Sequence, residues 1–146
     1  VVSSLETGAS AAELDRLAGE LGDLVRREVP IGPLTTYRVG GAARLYAEPN
    51  SSDELDRLLS GLAAASVSVP VLVVGKGSNL LVADRGWDGL CVHLGEGFSA
   101  IELDGLDVIA GGATAYPVLA RRTAAAGLTG MEWAVGIPGS VGGAVR

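Results

Sequence analysis

The residues best placed to do chemistry sit in glycine-rich stretches. The most informative reads Val73-Val74-Gly75-Lys76-Gly77-Ser78-Asn79-Leu80. It follows Pro70–Val74, an apolar run typical of a strand buried on both faces, so the loop falls at a strand's carboxyl end, where α/β sheets bind ligands. Two glycines let successive N–H groups converge on an anion, and Ser78 and Asn79 add side-chain donors; a pyrophosphate would suit them. Two familiar phosphate loops do not match. The dinucleotide fingerprint needs a glycine where Leu80 stands and a helix next; the Walker loop needs Ser or Thr directly after the lysine, where this chain has Gly77. Taken alone, the loop also reads as a tight turn between strands.

A second stretch runs Gly136-Ile137-Pro138-Gly139-Ser140-Val141-Gly142-Gly143-Ala144. Pro138 is expected in the first turn of a short helix, with small residues after it that let a ligand lie on the backbone. A close helix–sheet packing turn is the alternative. A third, Ala110-Gly111-Gly112-Ala113, is less specific and by itself reads as a strand-to-helix turn. The other polar residues point away from catalysis. Cys91 and His93 share a strand face, but no second His or Cys exists to complete a metal site, and both read as packing residues. A single histidine leaves no convincing Ser–His–acid arrangement. Asp104 and Asp107 bracket a hairpin and read as solvated. Asp53, Glu54 and Asp56 sit in a helix's first turns, where they favour its dipole. Trp87 and Trp133 read as packing residues.

The elements that must position these loops follow from periodicity and caps. Ser10 with Glu13 forms a capping box for a helix over 10–28, with Leu14, Leu17, Leu21, Leu24 and Val25 at helical spacing. Pro30 and Pro33 end it, and a Thr/Gly-rich connector runs to Gly41. Residues 43–48 read as a strand. Ser51 and Glu54 make a second capping box, opening a helix to about Ala65 with Leu55, Leu58, Leu59 and Leu62 on one face. Strands are expected at 70–74, 80–82 and 90–94. A hairpin turning at Asp104-Gly105 joins strands 99–103 and 106–110. A helix over 116–126 ends at Gly127. The fold class expected is α+β in two small lobes, breaking near Gly95–Gly97: a helical extension over 1–29, a first lobe over 30–95 and a second over 96–146.

Composition narrows the function. The chain has 146 residues, 48% hydrophobic and 19% charged, enough for a real core and unlike a disordered segment. Its apolar runs are too short to cross a bilayer, so no membrane partner is expected. The net charge is −6, and the arginine pairs Arg26-Arg27 and Arg121-Arg122 are isolated, which argues against a nucleic-acid partner. Val1 to Ser10 shows no basic segment followed by an apolar one, so no signal peptide is expected. With one cysteine, Cys91, the expected setting is the reducing cytoplasm. Glycine supplies 22 residues, clustered at 40–41, 75–77, 86–89, 95–97, 111–112 and 136–143, where backbone must turn or be approached closely.

Three ordered segments carry a resemblance: Pro33-Leu-Thr-Thr-Tyr-Arg-Val-Gly-Gly41, Pro70-Val-Leu-Val-Val-Gly-Lys-Gly-Ser-Asn-Leu-Leu81, and the run from Gly127 through Gly136-Ile-Pro-Gly-Ser-Val-Gly-Gly-Ala to Val145. Over about residues 30–146 the chain strongly resembles the UDP-N-acetylenolpyruvoylglucosamine reductase (UDP-N-acetylmuramate dehydrogenase) family. The resemblance implies a p-cresol methylhydroxylase-type FAD-binding domain of two α+β lobes with flavin between them. By motif, Val74, Gly75, Lys76, Gly77, Ser78, Asn79 and Leu80 would hold the FAD pyrophosphate. Ile137, Pro138, Gly139, Ser140, Gly142 and Gly143 would line the flavin and ribityl chain, and Gly111, Gly112 and Ala113 would add backbone contacts.

The implied reaction passes hydride from NADPH through flavin to the enolpyruvyl ether of UDP-N-acetylglucosamine. It yields UDP-N-acetylmuramate for peptidoglycan, a cytoplasmic step serving cell-wall biogenesis, cell shape and division. The family's catalytic arginine, serine and glutamate fall in later parts, after an Asn-Ala-Gly-Ala-Tyr-Gly stretch that this chain does not reach. Arg146 lacks the catalytic arginine's motif context. The chain is therefore expected to be an N-terminal fragment, without turnover alone and lacking the substrate-binding domain. Two other readings stand beside this one. One is an FAD-dependent alcohol or hydroxy-acid oxidase of the same superfamily, whose covalent flavin tether could only be His93, expected to lie away from the glycine loops. The other is a non-catalytic nucleotide-phosphate binding module.

Overall fold

The computed structural model describes residues 9–145. The reading of Arg146, and most of the segment read for a signal peptide, lie outside the described residues.

Helix α1 (Ala11–Leu21) starts where its capping box places it: the Glu13 N–H donates to Ser10 Oγ at 3.3 Å and the Ser10 N–H donates to the Glu13 carboxylate at 2.7 Å. The Ser10 N–H and the Ser10 hydroxyl, both donating to that carboxylate, hold the Glu13 carboxyl below its ordinary range. The helix ends at Leu21 rather than running to 28. Gly22 takes φ of 55° and leads through a single 3₁₀ turn into strand β1 (Arg26–Pro30). There Arg27 and Val29 pair with Leu45 and Ala43 of β2 (Ala42–Ala47), and sheet pairing overrides the helical spacing of Leu24 and Val25.

Helix α2 (Ser52–Ala64) is capped by Ser51, whose Oγ accepts from the Glu54 N–H at 3.2 Å. The box is only half made. The Glu54 carboxylate accepts from the Asn50 N–H at 2.7 Å instead of from Ser51. Leu58 is buried, whereas Leu59, expected on the same face, points to solvent.

Strands β3 (Val71–Val74) and β4 (Trp87–His93) complete a four-stranded sheet in the order β1-β2-β4-β3, with β1 antiparallel to β2 and the other pairings parallel. One face carries α1 and α2, where Leu14, Leu17, Leu21 and Leu58 pack on Leu45, Leu90 and Val92. Each such leucine contributes roughly 2 kcal/mol by leaving water. The other face buries Ile31, Tyr46, Val74, Val82 and Cys91 beneath connecting segments. Two expectations fail here. β3 is an edge strand, so Val71 and Val73 remain 48% and 55% exposed instead of buried on both faces. Residues 80–82 form no strand: Leu80 and Val82 pack on the sheet's second face, and the adjoining Ala83 carbonyl accepts from the Gly41 N–H at 3.0 Å.

After β4 the chain turns at Gly95 and Gly97, where a β-carbon would strike Asn50. Strands β5 (Ile101–Asp104) and β6 (Asp107–Ala110) form a separate two-stranded sheet. Asp104 pairs with Asp107, so the turn residues are Gly105 and Leu106, one position later than expected. Gly105, at φ 59°, takes the first central position, as a type II′ turn requires. Helix α3 (Tyr116–Ala125) closes in a Schellman motif: Gly127 at φ 75° donates to Ala124 O, and Leu128 donates to Thr123 O. A 3₁₀ turn (Glu132–Gly136) and the short helix α4 (Val141–Val145) follow. The architecture is α+β, as expected.

Candidate functional site

The loop that follows β3 is shaped by what stands behind it. Gly77 has φ of 59°, and a β-carbon there would lie 2.2 Å from the Leu34 carbonyl oxygen. The Thr36 N–H donates to the Gly77 carbonyl at 3.1 Å. Buried Thr35 stiffens that backing: its Oγ1 donates to Gly32 O at 2.8 Å and accepts from the Arg38 N–H at 3.1 Å. The segment from Pro33 to Gly41 is thus the support of the glycine loop, a role its spacing did not reveal.

The second glycine-rich loop is pinned along residues 112–116. Gly142 N–H donates to Gly112 O at 2.9 Å, Val141 N–H to Thr114 O at 2.9 Å, and Tyr116 N–H to Gly139 O at 3.0 Å. A β-carbon on Gly142 would come within 3.1 Å of Gly112 O. Pro138 lies ahead of the helix rather than in its first turn. Ser140, 4% exposed, caps α4 instead, its Oγ accepting from the Gly143 N–H at 3.3 Å. In the 3₁₀ turn before it in the chain, the backbone N–H groups of Glu132 itself and of Gly130 hold the Glu132 carboxyl under its ordinary range.

The two loops meet. Ser78 Oγ donates to the Pro138 carbonyl at 3.3 Å, and bare Gly75 faces Ser140. Between them opens a cleft of about 360 Å³, lined by Val74 through Leu80 on one side and by Ile137, Pro138, Gly139, Ser140 and Gly143 on the other. An inner cavity of about 110 Å³ adjoins it, bounded by Val74, Gly75, Lys76, Gly112, Ala113, Ser140, Gly142 and Gly143. Gly111, expected at the site, lines neither cavity; its α-carbon is turned to the Phe98 carbonyl, where a β-carbon would approach to 2.1 Å.

The electrostatics suit an anion. No carboxylate lines either cavity. Among the described residues, Lys76 has no carboxylate partner, and the N–H groups of Lys76, Gly77, Ser78 and Asn79 have no protein acceptor. Free N–H groups beside a cation form a phosphate-binding donor set. Neither cavity offers a general-acid or general-base pair; what the arrangement can do is hold and orient a ligand.

Sequence reasoning missed several lining residues: Val73, Tyr116 and Ala144 of the outer cleft, and His93 and Leu94 of the inner cavity. His93 is not remote from the glycine loops. Its Nδ1 lies 2.9 Å from the Val74 carbonyl oxygen. The available signal was its place at the carboxyl end of a strand parallel to β3. Cys91, two residues earlier, is buried in the core, and burial pushes its thiol up to about 12. Trp133 is largely exposed, packed edge-on against Tyr116 with ring centroids 5.9 Å apart.

Comparison with known proteins places the chain among flavoprotein relatives. The family described as an FAD binding domain matches residues 43–146. A UDP-N-acetylenolpyruvoylglucosamine reductase from Parvibaculum lavamentivorans is 44% identical over 138 residues, covering 94% of this chain and 43% of that protein. The reductase of the same name from Acidiphilium cryptum is 44% identical over 134 residues, covering 92% of this chain and 41% of that protein. The crystal structure of the UDP-N-acetylenolpyruvylglucosamine reductase from Thermus caldophilus superposes with a TM-score of 0.67 at 36% identity, over 84% of this chain and 42% of that one. The chain spans about two-fifths of the length of these relatives.

Proposed function

The chain belongs to the FAD binding domain family, and from that premise we propose that it is the flavin-holding part of an NADPH-dependent UDP-N-acetylenolpyruvoylglucosamine reductase. The substrate would be the enolpyruvyl ether of UDP-N-acetylglucosamine and the product UDP-N-acetylmuramate, a precursor of peptidoglycan made in the cytoplasm. The observation that carries the reading is the junction of two glycine loops at Ser78 and Pro138 around an acid-free cleft with unengaged N–H groups.

In this reading the loop from Val74 to Leu80 takes the FAD diphosphate, with Lys76 as counter-charge and the backbone N–H groups of Ser78 and Asn79 as donors, while the Ser78 hydroxyl ties the loop to Pro138. Residues Ile137 to Gly143 line the flavin and ribityl chain, and Gly112 and Ala113 shape the inner wall. The fit is supported by bare α-carbons at Gly139 and Gly143, where an added β-carbon would meet nothing nearer than 3.5 Å and the backbone is open to a close approach. A bound flavin would supply hydride transfer. This chain's own groups bind and orient the ligand, and no turnover is expected from it alone. Residues 30–95 would form one lobe and 96–146 the other, and the first takes in β1 and α1 as well, because β1 is a strand of its sheet and α1 packs on it.

The test is an FAD titration of this chain followed by flavin absorbance and fluorescence, with ADP as competitor. Saturable binding weakened by ADP is expected. ADP binding without any flavin binding would replace this reading with that of a nucleotide-phosphate module.

A further inference from the structure

The inner cavity holds a side chain that the flavin-site reading leaves without a task. His93 ends β4 opposite Val74, its register partner in the parallel pair, so its ring stands where β3 gives way to the glycine loop. A carbonyl oxygen only accepts hydrogen bonds. The 2.9 Å contact with Val74 O therefore places the proton on Nδ1 and leaves Nε2, in the neutral ring, as an acceptor. Among the described residues Nε2 has no protein partner. The ring borders a cavity otherwise lined largely by apolar groups and backbone, including Leu94, Val73 and Ala113.

We propose that His93 is a ligand-binding residue of this site. Its Nδ1–H fixes the Val74 carbonyl at the entry of the glycine loop, and its Nε2 accepts a hydrogen bond from a hydroxyl or N–H group of the bound nucleotide. The inference rests on the flavin-site reading. A donor of this kind has two sources in a flavin dinucleotide: the ribityl–isoalloxazine half or the adenosine half. The cavity, about 110 Å³, has room for one ring or a short polyol segment and not for both halves.

The experiment exploits the relation of amide side chains to imidazole. His93→Asn keeps an N–H donor near the Nδ1 position but removes the distal atom, whereas His93→Gln restores a polar group near Nε2. FAD, FMN and ADP are titrated into the unaltered chain and both variants, and melting temperatures are recorded. His93→Asn should melt within a few degrees of the parent yet bind FAD about tenfold more weakly, with partial recovery in His93→Gln, as for one desolvated hydrogen bond. Weakened FMN with unchanged ADP assigns the donor to the flavin half, and the reverse assigns it to adenosine.

Because the chain has one histidine, its ¹⁵N imidazole resonances are unambiguous, giving a readout independent of any variant's folding. They should report the Nδ1–H tautomer, with Nε2 shifting when FAD is added. FAD affinity of His93→Asn within twofold of the parent, or an Nε2–H tautomer, overturns the role of His93 while leaving the flavin site standing. A parent chain that binds none of the three ligands overturns both.

Discussion

A β-carbon built on Gly75 would lie 2.5 Å from the Ser140 hydroxyl. The bare α-carbon of one glycine loop is therefore what admits the cap of the other. Gly75→Ala should force a shift costing roughly 1–3 kcal/mol. The Ser140 β-carbon, at 3.7 Å, would be in ordinary contact with the new methyl group. Ser140→Ala alone should cost about 1 kcal/mol through loss of the α4 cap, and the double variant should be more stable than the sum of the single losses predicts. Denaturant unfolding of the four proteins checks this; strict additivity would show that the loops do not meet as described.

Gly77 faces a harder obstacle, since the atom in the way is backbone. With φ of 59° and the Leu34 oxygen 2.2 Å from where a methyl group would stand, Gly77→Ala should lose at least about 2 kcal/mol and abolish FAD binding. Gly136→Ala, where nothing lies within 4 Å, should stay within about 0.5 kcal/mol of the parent. Thermal melts of the pair separate loop geometry from a general sensitivity of glycines.

Gly19 lies inside α1 with open space around its α-carbon. Gly19→Ala should raise stability by about 0.5–1 kcal/mol through lower entropy of the unfolded chain, without altering FAD affinity. A fall in melting temperature would contradict the placement of that helix face.

The Ser78–Pro138 hydrogen bond links positions 60 residues apart. Ser78→Ala should lower stability by about 1 kcal/mol and weaken FAD several-fold, because the loops that would hold the cofactor lose their tie. Equal FAD affinity in the variant would remove Ser78 from the site.

Burial of Cys91 makes two measurements predictable. Its thiol should resist alkylation at about pH 8 in the folded chain and react once unfolded. Its proton is lost near 9.0 when unfolded and near about 12 when folded. Between those values the unfolded chain holds fewer protons, so rising pH favours unfolding. Tyr46 acts in the same direction, raised by burial and by the nearby Glu48 carboxylate. Melting temperature should fall from about pH 9 upward, and less steeply in Cys91→Ala.

Much of this molecule is written locally. The caps at Ser10 and Ser51, the stop at Gly127, the β2 strand and the glycine loops depend on residues within a few positions of one another, and short-range chemistry decides them. The turn at Gly75 to Asn79 was legible for the same reason: it needs only small residues in succession.

Residue order thus settles the locally capped and turned parts, while packing settles the rest and where all of them lie. Periodicity cannot tell an edge strand from a central one, so the exposure of Val71 and Val73 depended on β3 having a neighbour on one side alone. Nor can it weigh continued helix against sheet, and pairing with β2 drew Arg26–Pro30 into a strand. The backing of Gly77 by Leu34, the bridge from Ser78 to Pro138 and the placing of His93 beside Val74 join residues distant in the chain. Such contacts exist only once burial of the two faces of the sheet has fixed the path of the backbone, and that is a property of the whole core rather than of any segment.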